Sequence, residues 1–320
     1  MSISMPMLKP SIAVVSAGAM GSAVAKRLVT AGCTVYTNLD GRSDAAHARA
    51  QDAGMTNVPL ETLVAESKWI LSIVPPREAF AFAEKIRAAV VEKSLERSTS
   101  IGTGARGEES DPSWVFVDCN AVNPEAVKRI GGLFRGTSVR FIDAGIVGGP
   151  PRPGYDPTFY ACSEGEGVLE EFAALSQYGL RVSLLKGPGT GIGDASSLKL
   201  CESMMKKGSI GLFMTMMLTA HRSSPATADA LMKELSISQP GLMDRLIVTV
   251  PEGIPKAHRF VYEMEGLGEF VGGGEADMFK GFARVFERVG RSLSGDKADI
   301  ETLMRGVEKA RELRETPTSK

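Results

Sequence analysis

Six residues, Ser16-Ala17-Gly18-Ala19-Met20-Gly21, have the types and spacing to hold a pyrophosphate. The run Ile12–Val15 before them is apolar and strand-like, and the stretch after them is rich in small residues. Thr34–Thr37 then returns to a strand pattern, so 11–38 reads as one βαβ unit. In that setting a glycine fingerprint marks a dinucleotide site. Gly18 lets the backbone approach the pyrophosphate, and Gly21 lets helix and strand pack closely. Unpaired N–H groups and the positive dipole end of the helix complete an anion seat. The first fingerprint position is Ser16 instead of glycine, giving S-x-G-x-x-G.

The chain then offers two readings of which dinucleotide. Asn38-Leu-Asp-Gly-Arg-Ser43 follows the second strand. Asp40 falls near the spacing at which an acid binds the ribose of NAD. Arg42 and Ser43, a guanidinium beside a hydroxyl, suit a 2′-phosphate instead, with Asp40 turned to solvent. The balance favours NADP(H) over NAD(H).

Lys199 is the candidate acid/base. A glycine-rich turn, Gly187–Gly193, leads to Asp194 as N-cap of a helix running to about Ala220. No Lys-Ser/Thr follows that turn, so it is not a phosphate loop. Steps of 100° cluster Lys199, Ser203 and Lys206 within about 60°, opposite Cys201, Met205, Gly208, Leu212 and Thr219. From Ile210 the first side also turns apolar (Phe213, Met217), which predicts a helix buried nearly all round. Met204, Met205, Met214, Met216 and Met217 then read as interface core of a homodimer, not as a metal site. Partial burial, the dipole end and Lys206 all disfavour the ammonium of Lys199, which suits proton transfer near neutral pH.

The elements that must position these residues follow from the wider pattern. Strand-like runs recur at Ile70–Val74, Val115–Val117, Arg140–Asp143, Thr158–Cys162 and Arg181–Leu185, with helical stretches at 79–95, 123–134 and 167–177 between them. Alternation of this kind predicts an α/β, mostly parallel, doubly wound sheet. Residues 96–113 are polar and Gly/Ser-rich and read as a surface loop. Beyond Gly187 only helical patterns remain, at 226–236, 255–266, 275–293 and 297–313, with a frayed end over 315–320. The expected domains are 1–188 and an all-α 189–320, joined by the long helix. Arg259, Glu263 and Glu265 read as a surface ion-pair cluster.

Composition narrows the function. A chain of 320 residues with net charge −1 carries no basic footprint for nucleic acid or anionic membrane. Residues 11–25 are apolar like a signal segment, but only Lys9 precedes them and the pattern runs on into a strand. No apolar run reaches the ~18 residues that span a bilayer. Four scattered cysteines and three scattered histidines offer no metal-ligand spacing, so no metal is expected and a reducing, cytoplasmic location is.

Several segments, in this order, resemble the β-hydroxyacid dehydrogenase and 6-phosphogluconate dehydrogenase superfamily. They are AGAMGSAVA, Val74-Pro75-Pro76, Asp118–Pro124, Asp143–Gly149 and Lys199 in its long helix. The Gly-Arg-Ser after the second strand, SSLKLCESMMKKG and RFVYEME are similar to a branch with a distinctive C-terminal helical domain. The resemblance implies a Rossmann domain, with the cofactor on Ser16–Gly21, Asn38, Arg42, Ser43 and Val74–Pro76. It puts Asn120 on the nicotinamide side and Lys199 in the catalytic position. The family's substrate-holding serine corresponds to Val147, beside Gly148 and Gly149, and its amide-bearing asparagine to Ser203, with Lys206 nearby. An NADP(H)-dependent oxidoreductase acting on a carbonyl or alcohol carbon of a small molecule is therefore expected, in a cleft between the domains. The two changed groups leave open an imine reductase or reductive aminase, whose members often lack the lysine. A non-catalytic NADP(H) sensor is the third possibility.

Overall fold

The computed structural model describes residues 9–100 and 114–315. The described strands are β1 (Ser11–Val15), β2 (Thr34–Thr37), β3 (Thr56–Asn57), β4 (Trp69–Ser72), β5 (Val115–Asp118), β6 (Arg140–Val147), β7 (Thr158–Cys162) and β8 (Arg181–Leu184). They form one sheet in the order β3-β2-β1-β4-β5-β6-β7-β8. Only β6 and β7 pair antiparallel. The chain winds outward from β1 to β3, then returns to the other side of β1 as β4. That reversal opens a crevice at the carboxyl ends of β1 and β4, where ligands of doubly wound sheets bind.

Strand residues are apolar on both sides because helices cover both faces. One face carries Ile12, Val14, Leu71, Val117, Ile142 and Ala144 against Val24 and Leu28 of α1 (Ala19–Thr30) and Phe172 of α6 (Glu166–Ala173). The other carries Ala13, Val15, Ile70, Phe116 and Phe141. Against it pack Leu63 of α3 (Leu60–Glu66), Ile86 of α4 (Ala79–Ser100) and Val127 of α5 (Pro124–Gly132). Phe116 lies 4.8 Å, centroid to centroid, from Phe134 and 6.1 Å from Phe141. Helix α2 (Asp44–Asp52) follows β2.

The long helix is α7 (Asp194–Ser223). Two compact units divide inside it, between Leu200 and Cys201. The second unit is helical: α8 (Pro225–Ser238), α9 (Pro240–Gly253), α10 (Ala257–Val271), α11 (Ala276–Ser294) and α12 (Ala298–Glu315). Phe279, Ala283, Phe286 and Val289 make a buried stripe on α11 at helical spacing. Phe286 meets Phe260 of α10 edge to face at 5.2 Å. Gly211 of α7 lets the ring of Phe282 lie on the helix backbone.

Two expectations need correction. Residues 96–100 continue α4 instead of opening a loop, helped by the Lys93–Glu96 pair at 3.2 Å. Residues 101–113 of that expected loop, and the expected fraying beyond Glu315, lie outside the described residues. Among the described residues, helix α7 is not covered on every side. Ile210, Phe213, Met214, Met217 and Leu218 are buried, but Cys201, Met205, Leu212 and Thr219 form an exposed stripe, with Met205 68% exposed. Gly208, on the same side, is buried beside Phe282.

Candidate cofactor and catalytic site

The six-residue turn sits at the crevice. Gly18 is the N-cap of α1 in extended backbone, with no side-chain cap, and the first turn contains no acid. The first helical N–H that bonds back into the turn is Ser22's, to the carbonyl of Gly18 at 2.9 Å. The earlier N–H groups, of Ala19, Met20 and Gly21, belong to the helix's first turn, whose donors have no intrahelical acceptor. A Cβ on Gly21 would overlap the Ser16 carbonyl, so close packing requires glycine there. At Gly18 a Cβ would meet nothing nearer than Ser16 Oγ at 3.9 Å, which leaves room beside the backbone. These features fit a pyrophosphate. Ala17 is buried and Met20 packs on the core, so both serve the turn from beneath.

At the end of β2, Asn38 donates from Nδ2 to Asp40 (2.8 Å) and to the carbonyl of Val58 (3.1 Å), which pins the loop. Asp40 and Ser43 are exposed. Ser43 is the N-cap residue of α2, with its hydroxyl uncommitted to capping. Arg42 donates to Glu78 at 2.9 Å, each side chain about one-third exposed at 33%. Glu78 lies just past Val74-Pro75-Pro76, so this pair ties the loop after β2 to the segment after β4. Arg49 of α2 donates from Nε to the Ala17 carbonyl at 2.8 Å. The sequence reading missed both Glu78 and Arg49, because their partners are distant along the chain.

Beyond β1 and β4 the last rung of the sheet changes character. Val15, Ser72, Asp118, Asp143 and Cys162 pair laterally across five strands. They continue the face that carries Ile70, Phe116 and Phe141 one rung earlier, so this face turns from aromatic to polar at its carboxyl end. Asn120 is buried just past β5. Its Oδ1 accepts from Val74 N (2.7 Å), and its Nδ2 donates to Ser72 Oγ (2.9 Å). The side chain of Asn120 therefore joins the ends of β4 and β5, and holds Val74 at the crevice while Pro75 and Pro76 are exposed.

Asp143 is saturated with donors: Gly193 N (2.9 Å), Ser196 N (3.2 Å), Ser196 Oγ (2.8 Å) and Cys162 Sγ (3.5 Å). It seats the first turn of α7 on the sheet. Asp118 differs. Its Oδ1 accepts from Asn120 N at 2.8 Å, while Oδ2 is buried without a hydrogen-bond partner. Burial raises the Asp118 carboxyl to about 7, against the Asn120 donor and the opposing charge of Lys199 and with the help of Asp143. Burial also raises Asp143, opposed by the donors from Ser196 and Gly193. Both acids were visible only as motif letters; a carboxylate closing an apolar strand was the available signal.

Lys199 is half-buried in the second turn of α7. A Cβ on Gly145 would meet the Ala195 carbonyl at 2.5 Å and Lys199 Cβ at 3.2 Å, so α7 rests directly on β6 there. Gly145 and Val147 follow Asp143 at two-residue steps, on the same face of β6. Val147 is half-buried at the end of that strand. Past it, Gly148 has φ 125° and its neighbour Gly149 donates from N to Tyr155 Oη at 3.1 Å. Ser203 accepts from Lys207 Nζ at 3.4 Å, and Lys207 pairs with Glu263 at 2.9 Å. Glu263 also pairs with Arg259 at 3.3 Å, and these are two of the three residues expected in the ion-pair cluster. Lys206 is exposed.

Residues 11–179 match the family described as the NAD binding domain of 6-phosphogluconate dehydrogenase. The chain belongs to that family. Residues 223–289 match a domain of unknown function, DUF1932. No curated protein sequence matches the chain. Among solved structures, it is similar to a conserved protein of unknown function described as structurally similar to 3-hydroxyacid dehydrogenases. That match has 23% identity and a TM-score of 0.67, and covers 92% of this chain and 99% of the other. A Mycobacterium tuberculosis 3-hydroxyisobutyrate dehydrogenase with L-serine matches at 15% identity and a TM-score of 0.56, over 96% and 100% of the two chains. An imine reductase from Myxococcus stipitatus in complex with NADP+ matches at 16% identity and a TM-score of 0.52, over 93% and 100%. These likenesses agree with the doubly wound fold. Among the described residues no helix is long and apolar enough to cross a membrane.

Proposed function

We propose that the protein is an NADP(H)-dependent oxidoreductase acting on a carbonyl or alcohol carbon of a small molecule, with Lys199 as general acid/base. The observation that carries this is the placement of Lys199 against Gly145, on the sheet face whose last rung is polar. The nicotinamide, when bound, supplies or accepts the hydride. The N–H groups at Gly18–Gly21 would hold the pyrophosphate, Arg42 and Ser43 the 2′-phosphate, and Val74–Pro76 with Asn120 the nicotinamide side. Lys199 Nζ would give a proton to the substrate oxygen during reduction and remove it in the reverse direction. Val147, Gly148, Gly149, Ser203 and Lys206 would shape the substrate side, with Val147 supplying an apolar wall.

That apolar wall supports a second reading, reduction of C=N bonds, because an imine brings no carboxylate to anchor. Free thiols at Cys33, Cys119, Cys162 and Cys201 suit a reducing cytoplasm. The exposed stripe Met205–Leu212 suits a homodimer, which light scattering would check. Thermal midpoints with NADPH and then NADH test the cofactor: a rise with the first well above the second is expected, and no rise with either rejects the scheme. Panels of ketones and imines under NADPH separate the two chemistries. Lys199→Arg should abolish turnover while leaving NADPH binding intact; retained turnover rejects Lys199 as the acid/base.

A further inference from the structure

Among the described residues, one buried carboxyl in the first unit has an unsatisfied oxygen and lies on the sheet face against which Lys199 rests. Asp118 and Asp143 are register partners on adjacent parallel strands, so their carboxyl groups share one face. Burial leaves two acids with too little solvent to ionise both. Four donors stabilise Asp143 as the anion. Asp118 draws its donors from Asn120 alone, the backbone N–H on Oδ1 at 2.8 Å, and Oδ2 has no partner within hydrogen-bond geometry. The geometry therefore puts the proton of the pair on Asp118.

We propose that Asp118 is a positioning residue: its buried carboxyl, aimed by Asn120 and lying on the face against which α7 rests, sets the charge state of Lys199. This rests on the reading of Lys199 as the acid/base. The groups around Asp118 are Asp143 on β6, Lys199 on α7, the Cys119 thiol beside it on β5's end, and the neutral Ser72 and Asn120 on their strand ends. Lys199 is the only cation among them. With Asp118 protonated, its carboxyl adds no negative charge beside Lys199 and the ammonium is held less firmly. With Asp118 ionised, the carboxylate holds the ammonium in place. The proton affinity of Lys199 thus rises as its neighbour loses a proton, and the two groups titrate as a coupled pair.

Trace acetylation with acetic anhydride, read by peptide mass spectrometry across pH, reports the neutral fraction of each lysine in the intact protein. In the wild type, Lys199 reactivity should climb with a shoulder near neutral pH that the other lysines in the digest lack. In Asp118→Asn the shoulder should vanish, and Lys199 should become several-fold more reactive above neutral pH, with NADPH affinity unchanged. A merely structural Asp118 would lower the thermal midpoint without reshaping the Lys199 curve. A single-proton curve for wild-type Lys199, or coincident curves for the two proteins, overturns the proposal. The wild-type curve alone decides the matter if the variant does not fold. Loss of the acid/base reading would show separately, as turnover by Lys199→Arg.

Discussion

Two helices of the first unit begin at the carboxyl edge of the same sheet, and their N-termini are treated in opposite ways. The start of α7 is filled from within: Asp143 accepts from Gly193 N, Ser196 N and Ser196 Oγ, and Asp194 accepts from Gly191 N at 2.7 Å. The start of α1 has no capping side chain and no acid in its first turn. Both ends offer the same unpaired N–H groups and the same dipole. The second end is the one the proposed function assigns to an anion from outside.

Exchanging the two treatments gives the largest expected effect. Gly18→Asp places a capping acid on extended backbone with room for its Cβ. It should lower NADPH affinity at least about a hundredfold by charge repulsion, yet raise stability by about 0.5 kcal/mol. Isothermal titration beside thermal melts checks both; unchanged affinity would show that the bare end is not the anion seat. Asp143→Ala does the reverse. It strips several buried donors of their acceptor and should cost about 3 kcal/mol, read from denaturant unfolding.

Proton occupancy sharpens the contrast between satisfied and unsatisfied acids. Asp118 keeps its proton up to about 7 when folded, against a usual value of 3.8. The unfolded chain therefore binds fewer protons, and this group's contribution to stability falls as pH rises from about 4 toward 7. Glu171 has the opposite sign. Hydrogen bonds from Arg140 (2.6 and 3.1 Å), then from Lys68 (2.7 Å), hold it down to about 2. Its contribution is present above its usual 4.5 and is lost as pH falls toward 2. Melting across pH should show Asp118→Asn flattening the slope between pH 4 and 7, and Glu171→Gln flattening only the acid limb. The smallest effect concerns Arg42. Glu78→Gln frees its guanidinium and should tighten NADPH a few-fold with NADH unmoved, whereas Arg42→Ala should weaken NADPH by about tenfold. Equal changes for both cofactors would remove Arg42 from 2′-phosphate recognition.

The sequence revealed most where structure is local. The first βαβ unit was legible because strand, turn and helix are set by neighbouring residues, and the ends of β2 and β7 fall where the pattern put them. Strand β3 escaped because two residues carry no periodicity. Helix α9 escaped because Ile247-Val248-Thr249-Val250 is β-branched and Pro251 interrupts the pattern, while Met243, Leu246 and Val250 supply the buried face that decides it. The site divides in the same way. Gly18 and Gly21 could be read directly. The Asp118–Asp143 register, the Arg42–Glu78 pair and the reach of Arg49 are products of chain segments meeting across the fold, and no spacing in the sequence encodes them.

At Gly145 the backbone of α7 comes down onto β6 through a gap where any other residue would put a Cβ carbon. The height of Lys199 above the strand is fixed by that one absent carbon. Alanine at this position would act as a shim, lifting the amine away from its partners by a fraction of an ångström while every residue at the nucleotide end stays as it was. On the proposed reading, the reach of the lysine and the grip on the nucleotide could then be adjusted independently.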